Sequence, residues 1–168
     1  MKRLFQTNND YTGLFLRLTI AVVLFPHGAQ KLLGWFGGYG FTGTMQFFTD
    51  TKGLPWLVGF LVIMIEFVGS LLLLLGMGSR ILAVAVTVLS IGIIFTSHLQ
   101  YGFFMNWFGN QKGEGFEYFL LLIGLSIALL INGSGKLSVD NLLITKYITQ
   151  SAIESIQSLP LFDCQTSS

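Results

Sequence analysis

The chain has 168 residues, of which 52% are hydrophobic and only 10% are charged, whereas a soluble domain carries roughly 25% charged residues. A soluble core of this size would leave much apolar surface in water, so the composition excludes an ordinary soluble domain and indicates a membrane protein. The net charge of +1 offers no basic surface for nucleic acid, and the single cysteine, Cys164, excludes an internal disulfide.

The chain begins with a basic and then polar segment, residues 1–12, which we expect to lie in the cytoplasm. The apolar stretch that follows contains Arg17, His27 and Lys31 and has no small-residue cleavage site. We therefore predict a retained transmembrane helix and not a removed signal peptide.

Four apolar segments, separated by glycine- and asparagine-rich turns, follow one another along residues 13–135. A helix needs about 20 apolar residues to cross a hydrocarbon core about 30 Å thick. The four segments therefore predict an all-α fold, a transmembrane four-helix antiparallel bundle. The segments that meet or approach the required length are 13–33, 55–75, 80–98 and 116–131, the last of which we extend back to Glu114.

Two connections between these segments are rich in glycine and aromatic residues, and we expect them to lie in the membrane interface. Because the helices alternate in direction, both connections should lie on the same membrane face. The polar tail, residues 136–168, carries an amphipathic pattern that predicts a surface helix over about 142–156. The aromatic residues are Trp35, Phe36, Tyr39, Phe41, Phe47 and Phe48 in the first connection, and Tyr101, Phe103, Phe104, Trp107 and Phe108 in the other.

The distribution of Lys and Arg predicts that both termini face the cytoplasm, in the inner membrane of the cell. Three cations, Lys31, Lys52 and Lys112, lie on the other side of the predicted bundle. The six cations on the side of the termini are Lys2, Arg3, Arg17, Arg80, Lys136 and Lys146.

Ionisable residues inside the apolar spans are the candidates for a functional site, because a charge at the centre of a span costs at least about 2.5 kcal/mol. Five of them, His27, Lys31, Glu66, His98 and Glu117, converge on the non-cytoplasmic half of the predicted bundle. His27 and Lys31 are four residues apart and share a helix face. Lys31 should pair with Glu66 or Glu117, because pairing relieves the solvation cost of both charges.

Two further residues of the first helix are interpreted as structural. We expect Arg17 to extend its side chain to the cytoplasmic headgroups. Pro26 removes a backbone hydrogen bond and should kink the helix beside His27.

These residues and their order resemble the DoxX family of small four-helix membrane proteins, over about residues 11–143. The resemblance implies a role as the membrane partner of redox, thiol-homeostasis or detoxification systems. The family takes its name from a small subunit of an archaeal thiosulfate:quinone oxidoreductase. The matching elements include His27-Gly28-Ala-Gln-Lys31, Glu66-Phe-Val-Gly69, Gly76-Met-Gly78-Ser-Arg80 and Gly133-Ser-Gly135-Lys-Leu-Ser-Val-Asp140.

The favoured interpretation is a membrane redox component that binds quinone or quinol. His27 and Lys31 could donate hydrogen bonds to a quinone carbonyl, and Glu66 could relay a proton. The chain has no haem, flavin or iron–sulfur motif, so a partner protein would have to supply the electrons, and we do not expect the chain to be catalytic alone.

Two alternatives stay open from the sequence. The chain could be a membrane anchor or scaffold for a soluble enzyme, with the polar residues acting only as internal ion pairs. It could also be a small transporter or metal-binding protein, with His27, Glu66, His98 and Glu117 as candidate ligands. Transport would require a homo-oligomer, because four helices leave only a narrow pore.

Overall fold

A computed structural model describes residues 10–157 of the chain, and this described part is all-helical. Most of the N-terminal segment, and the end of the tail with Cys164, lie outside the described residues. We number the helices in chain order: α1 is Thr12–Leu33, α2 is Gly40–Gln46, α3 is Trp56–Leu75, α4 is Ser79–Tyr101, α5 is Glu117–Asn132 and α6 is Val139–Gln157.

Three of these helices, α1, α3 and α4, are long and apolar enough to cross a membrane. The sequence predicted these three crossings, and their lengths of 22, 20 and 23 residues match that prediction. The fourth apolar helix, α5, has only 16 residues, which corresponds to about 24 Å. A fourth crossing therefore remains a prediction.

The predicted extension of α5 back to Glu114 is wrong, because the chain pairs with the preceding loop there. Phe116 N donates to Gly102 O at 3.2 Å, and Glu117 N donates to Phe103 O at 2.9 Å. These hydrogen bonds hold the chain before Glu117 against the loop, so the helix begins only at Glu117.

The four apolar helices pack side by side with alternating direction. At one end of the bundle, Arg17 of α1 meets Leu73 of α3, and further along Gly28 of α1 meets Phe67. The buried core between the helices is aliphatic, as expected for apolar helices that share one interior. It consists of Ile20, Ala21, Leu24, Leu73, Ala83, Val86, Leu122 and Leu129.

The hairpin of α3 and α4 is splayed. Close to the turn at 76–78, α4 packs against residues 65–75 of α3, and Gly69 lies beside Leu82. The first half of α3, Trp56–Met64, diverges from α4 and packs instead toward α1 and α2. The two helices therefore form a V that opens toward the end of the bundle carrying the aromatic connections.

The first aromatic connection is more ordered than a loop. It contains a 3₁₀ turn, Trp35–Gly37, then α2, then a wide π-helical turn, Phe47–Thr51. Gly34 ends α1 in the left-handed conformation with φ of 74°, which a residue with a side chain adopts only at a cost.

Arg17 does not reach the headgroups, so that prediction is wrong. Its side chain is 1% exposed and donates hydrogen bonds to five backbone carbonyls. A helix C-terminus leaves carbonyls without partners, and Arg17 supplies donors for the end of α3 and for the segment after α5. The acceptors are Leu73 O at 3.0 Å, Leu74 O, Ser134 O at 3.1 Å, Lys136 O at 3.4 Å and Leu137 O at 2.6 Å.

Asp140, at the start of α6, is also 1% exposed and caps α4 from outside that helix. Its carboxylate accepts hydrogen bonds from Gly78 N at 2.8 Å, Ser79 N at 3.1 Å and Ser134 Oγ at 2.6 Å. A carboxylate is favourable at a helix N-terminus, where free N–H groups point outward. The start of the predicted tail is thereby attached to the bundle.

Candidate functional site

A cavity of about 920 Å³ lies between α1, α3, α4 and α5 at the open end of the V. Phe47, Phe48 and Leu54 from the first aromatic connection and Met105 from the other contribute to its lining. Both connections therefore meet at the same end of the bundle. The remaining walls are mostly aliphatic, with a small number of polar side chains.

The polar centre of the cavity is an ion pair between Lys31 Nζ of α1 and Glu66 Oε2 of α3. The Glu66 side chain is only 4% exposed, whereas that of Lys31 is 25% exposed. Of the two partners that the sequence suggested for Lys31, the structure selects Glu66. Burial of the Glu66 carboxylate is tolerable because the Lys31 ammonium neutralises it.

The backbone approach of α1 to α3 makes this pair possible. A Cβ added at Gly28 would lie 2.5 Å from Phe67 N and 2.6 Å from Glu66 C, so only glycine permits the contact. Glu66 also lies in a wide π-helical turn, Ile65–Gly69, a local feature frequently found at functional sites. Lys31 is one turn beyond Gly28 and reaches the carboxylate across this contact.

His27 lies on the same face of α1 as Lys31 and lines the cavity. It makes no hydrogen bond within the described part of the chain, and its ring lies within electrostatic range of Lys31 and Glu66. The helix continues through Pro26 without interruption, and the kink expected there remains a prediction. His27 is therefore a free hydrogen-bonding group beside the ion pair.

His98, in the π-helical turn Ile94–His98 at the end of α4, also lines the cavity. Its Nδ1 lies 2.8 Å from Glu114 O. Because a carbonyl can only accept, Nδ1 carries a proton, and Nε2 makes no hydrogen bond within the described residues. The ring packs on Phe119 with centroids 4.7 Å apart, which holds its orientation.

Glu117, the fifth residue that the sequence placed in the pocket, does not line the cavity. Its Oε1 accepts hydrogen bonds from Met105 N at 3.2 Å and Trp107 Nε1 at 3.1 Å. Glu117 therefore ties down the loop that covers the cavity. This arrangement brings Met105, but not the carboxylate itself, to the cavity wall.

Two residues that the sequence did not single out line the cavity, Ser90 on α4 and Tyr118 on α5. Both hydroxyl oxygens are buried and have no hydrogen-bond partner among the residues that the structure describes. A buried hydroxyl without a partner is costly, so the fold leaves two unsatisfied polar groups next to the cavity. The sequence signal was weak, because single Ser and Tyr residues are common in apolar helices.

The metal-binding alternative gains no support from the arrangement of side chains. Within residues 10–157, no group of three or more His, Cys, Asp or Glu side chains comes together in a way that could hold a metal ion. His27 and Glu66 lie beside the Lys31 ammonium, whose charge opposes a metal cation.

The long apolar helices identify the chain as a small integral membrane protein, and they surround a cavity with an internal ion pair. The DoxX family model matches residues 13–99, and the chain belongs to that family. It is also similar to a protein of Bacillus subtilis (strain 168) named "Putative oxidoreductase CatD", with 34% identity over 127 residues, which cover 76% of this chain and 83% of that protein. No solved structure matches the chain.

Proposed function

We propose that this protein is the membrane component of a redox system and that its cavity binds a quinone or quinol. The observation that carries the proposal is the cavity itself, a mostly apolar space that an ion pair and two histidines line together with a few other polar residues. Its volume lies within the range of roughly 300–1,000 Å³ that small-molecule sites occupy. The relative named as an oxidoreductase supports a redox role.

The polar groups suit a planar ring with two carbonyl oxygens. Lys31 and His27 can donate hydrogen bonds from α1, and the unsatisfied hydroxyls of Tyr118 and Ser90 lie beneath the cavity wall on α5 and α4. Glu66 can relay a proton to the quinone ring. A bound quinone would supply the redox chemistry, taking two electrons from a partner oxidoreductase together with two protons.

Replacing the ion-pair carboxylate tests this proposal. In lipid nanodiscs we expect Glu66→Gln and His27→Ala each to weaken the binding of a menaquinone about tenfold, since each removes a charged or polar contact. Binding is measured by separating nanodiscs from free quinone and quantifying the quinone by chromatography, after subtracting its partition into empty nanodiscs.

Asp140→Asn is the control, because it removes a buried carboxylate at the opposite end of the bundle. It should lower the thermal stability and leave the quinone affinity unchanged. If the purified wild-type protein carries no quinone and ignores added quinone, the proposal is overturned. The cavity residues would then serve only to hold together a membrane anchor.

We place both termini in the cytoplasm and the cavity toward the other face of the cell membrane, following the Lys and Arg distribution. Because Arg17 is buried, five Lys and Arg residues instead of six count on the side of the termini, compared with three on the other side. We also propose that α5 is a fourth crossing. It runs beside α4 from Ile131, near Arg80, to Phe119, near His98, and so shares the depth of α4.

A further inference from the structure

The cavity has a side opening between α3 and α4, where the first half of α3 diverges from α4. On α3 the lining residues Val58, Leu61, Val62 and Ile65 recur at the spacing of one helix face. On α4 the same spacing is kept by Ala85, Val88, Leu89, Gly92, Ile93 and Thr96. Both faces border the cavity, whereas in a closed hairpin they would pack on each other.

The splay of the hairpin keeps this gap open. Val58, Leu61 and Val88 line the cavity and are still 41%, 47% and 63% exposed, so the cavity continues to the outer surface of the bundle there. Gly92 contributes no side chain, and a Cβ added to it would meet nothing within 4 Å. For a helix bundle in a bilayer, the medium outside this gap is lipid.

The gap differs chemically from the inner end of the cavity. Its walls are aliphatic, and the hydroxyl of Thr96 donates to Gly92 O of its own helix at 2.9 Å, which satisfies its donor. The ion pair of Lys31 with Glu66, and His27, lie on the far side, toward α1. The space therefore runs from a polar inner end to an apolar opening.

We propose, on the basis of the quinone site above, that the ligand enters sideways from the bilayer between α3 and α4 and that its apolar chain lies in this gap. The substrate class is then a membrane-resident quinone with an isoprenoid chain, and not a water-soluble ring compound. The ring lies at the ion pair, and the chain leaves past Gly92 into the lipid.

Gly92→Leu tests this inference, because the new side chain fills the gap without touching the polar groups. The probes are a menaquinone with a four-isoprene chain and menadione, which has the same ring without the chain. We expect the dissociation constant of the long-chain compound to rise about tenfold, because the leucine side chain and the isoprenoid chain would compete for the same space. That of menadione should change less than about twofold.

Gly124→Leu is the matched control, since Gly124 on α5 also has nothing within 4 Å of an added Cβ but lies outside the cavity lining. It should change neither dissociation constant. If Gly92→Leu weakens both compounds equally, or neither, the inference fails while the quinone site stands. If neither compound binds the wild-type protein, the quinone site fails and this inference fails with it.

Discussion

Replacing Arg17 should be the most destabilising substitution at the end of the bundle opposite the cavity. Arg17→Ala removes a donor from five backbone carbonyls in the buried end of the bundle, of which Leu73 O keeps a hydrogen bond from Gly76 N. Hydrogen bonds from charged donors contribute roughly 1.5–3 kcal/mol each and do not add fully. We expect a loss of about 4 kcal/mol in the free energy of unfolding, measured by SDS titration with circular dichroism.

Arg17→Lys separates the role of the charge from that of the guanidinium shape. An ammonium keeps the charge but cannot span carbonyls of α3 and of the segment after α5 at once, so about half of the loss should remain. Arg80→Lys, at the same end but partly exposed, should cost less than about 1 kcal/mol. Equal effects at the two positions would contradict a special role for Arg17.

The second large effect is expected at Gly28, where α1 and α3 touch through their backbones. Alanine in a helix interior is favoured over glycine by about 1 kcal/mol. The added Cβ would, however, lie 2.5 Å from Phe67 N, and overpacking against backbone costs about 3 kcal/mol. The clash outweighs the propensity, so Gly28→Ala should lower the free energy of unfolding by about 2 kcal/mol.

The same change at Gly124 should have the opposite sign, because its Cβ would enter open space. Gly124→Ala therefore gains the helix propensity alone, about 1 kcal/mol. Gly28→Ala should also separate Lys31 from Glu66 and weaken menaquinone binding, which Gly124→Ala should not do. Stabilisation by Gly28→Ala would show that the helices are not in backbone contact at this point.

Much of the architecture was predictable because it depends on local sequence. The length and apolarity of a segment decide whether it can span hydrocarbon, so α1, α3 and α4 were found with nearly their observed bounds. The cost of a charge in an apolar span likewise singled out Lys31 and Glu66. Spacing along one helix placed His27 beside Lys31.

Helix pairing and rotation were decided only in the tertiary structure. They depend on contacts between residues far apart in the chain, such as Arg17 with Ser134 and Gly28 with Phe67. Spacing along the chain could not show that Arg17 turns inward, or that Glu66 and not Glu117 meets Lys31.

The small polar groups of the cavity were also decided by the fold. A hydroxyl such as that of Ser90 or Tyr118 costs little free energy in an apolar helix wherever it finds a hydrogen-bond partner. The sequence alone therefore does not mark either residue as part of a site. Only the position of neighbouring helices shows that the two residues line the cavity and that their oxygens have no partner within residues 10–157. The apolar composition of the chain thus determined that it belongs in a membrane, whereas helix packing decided the splay of α3 from α4, which opens the gap through which we propose that a ligand enters.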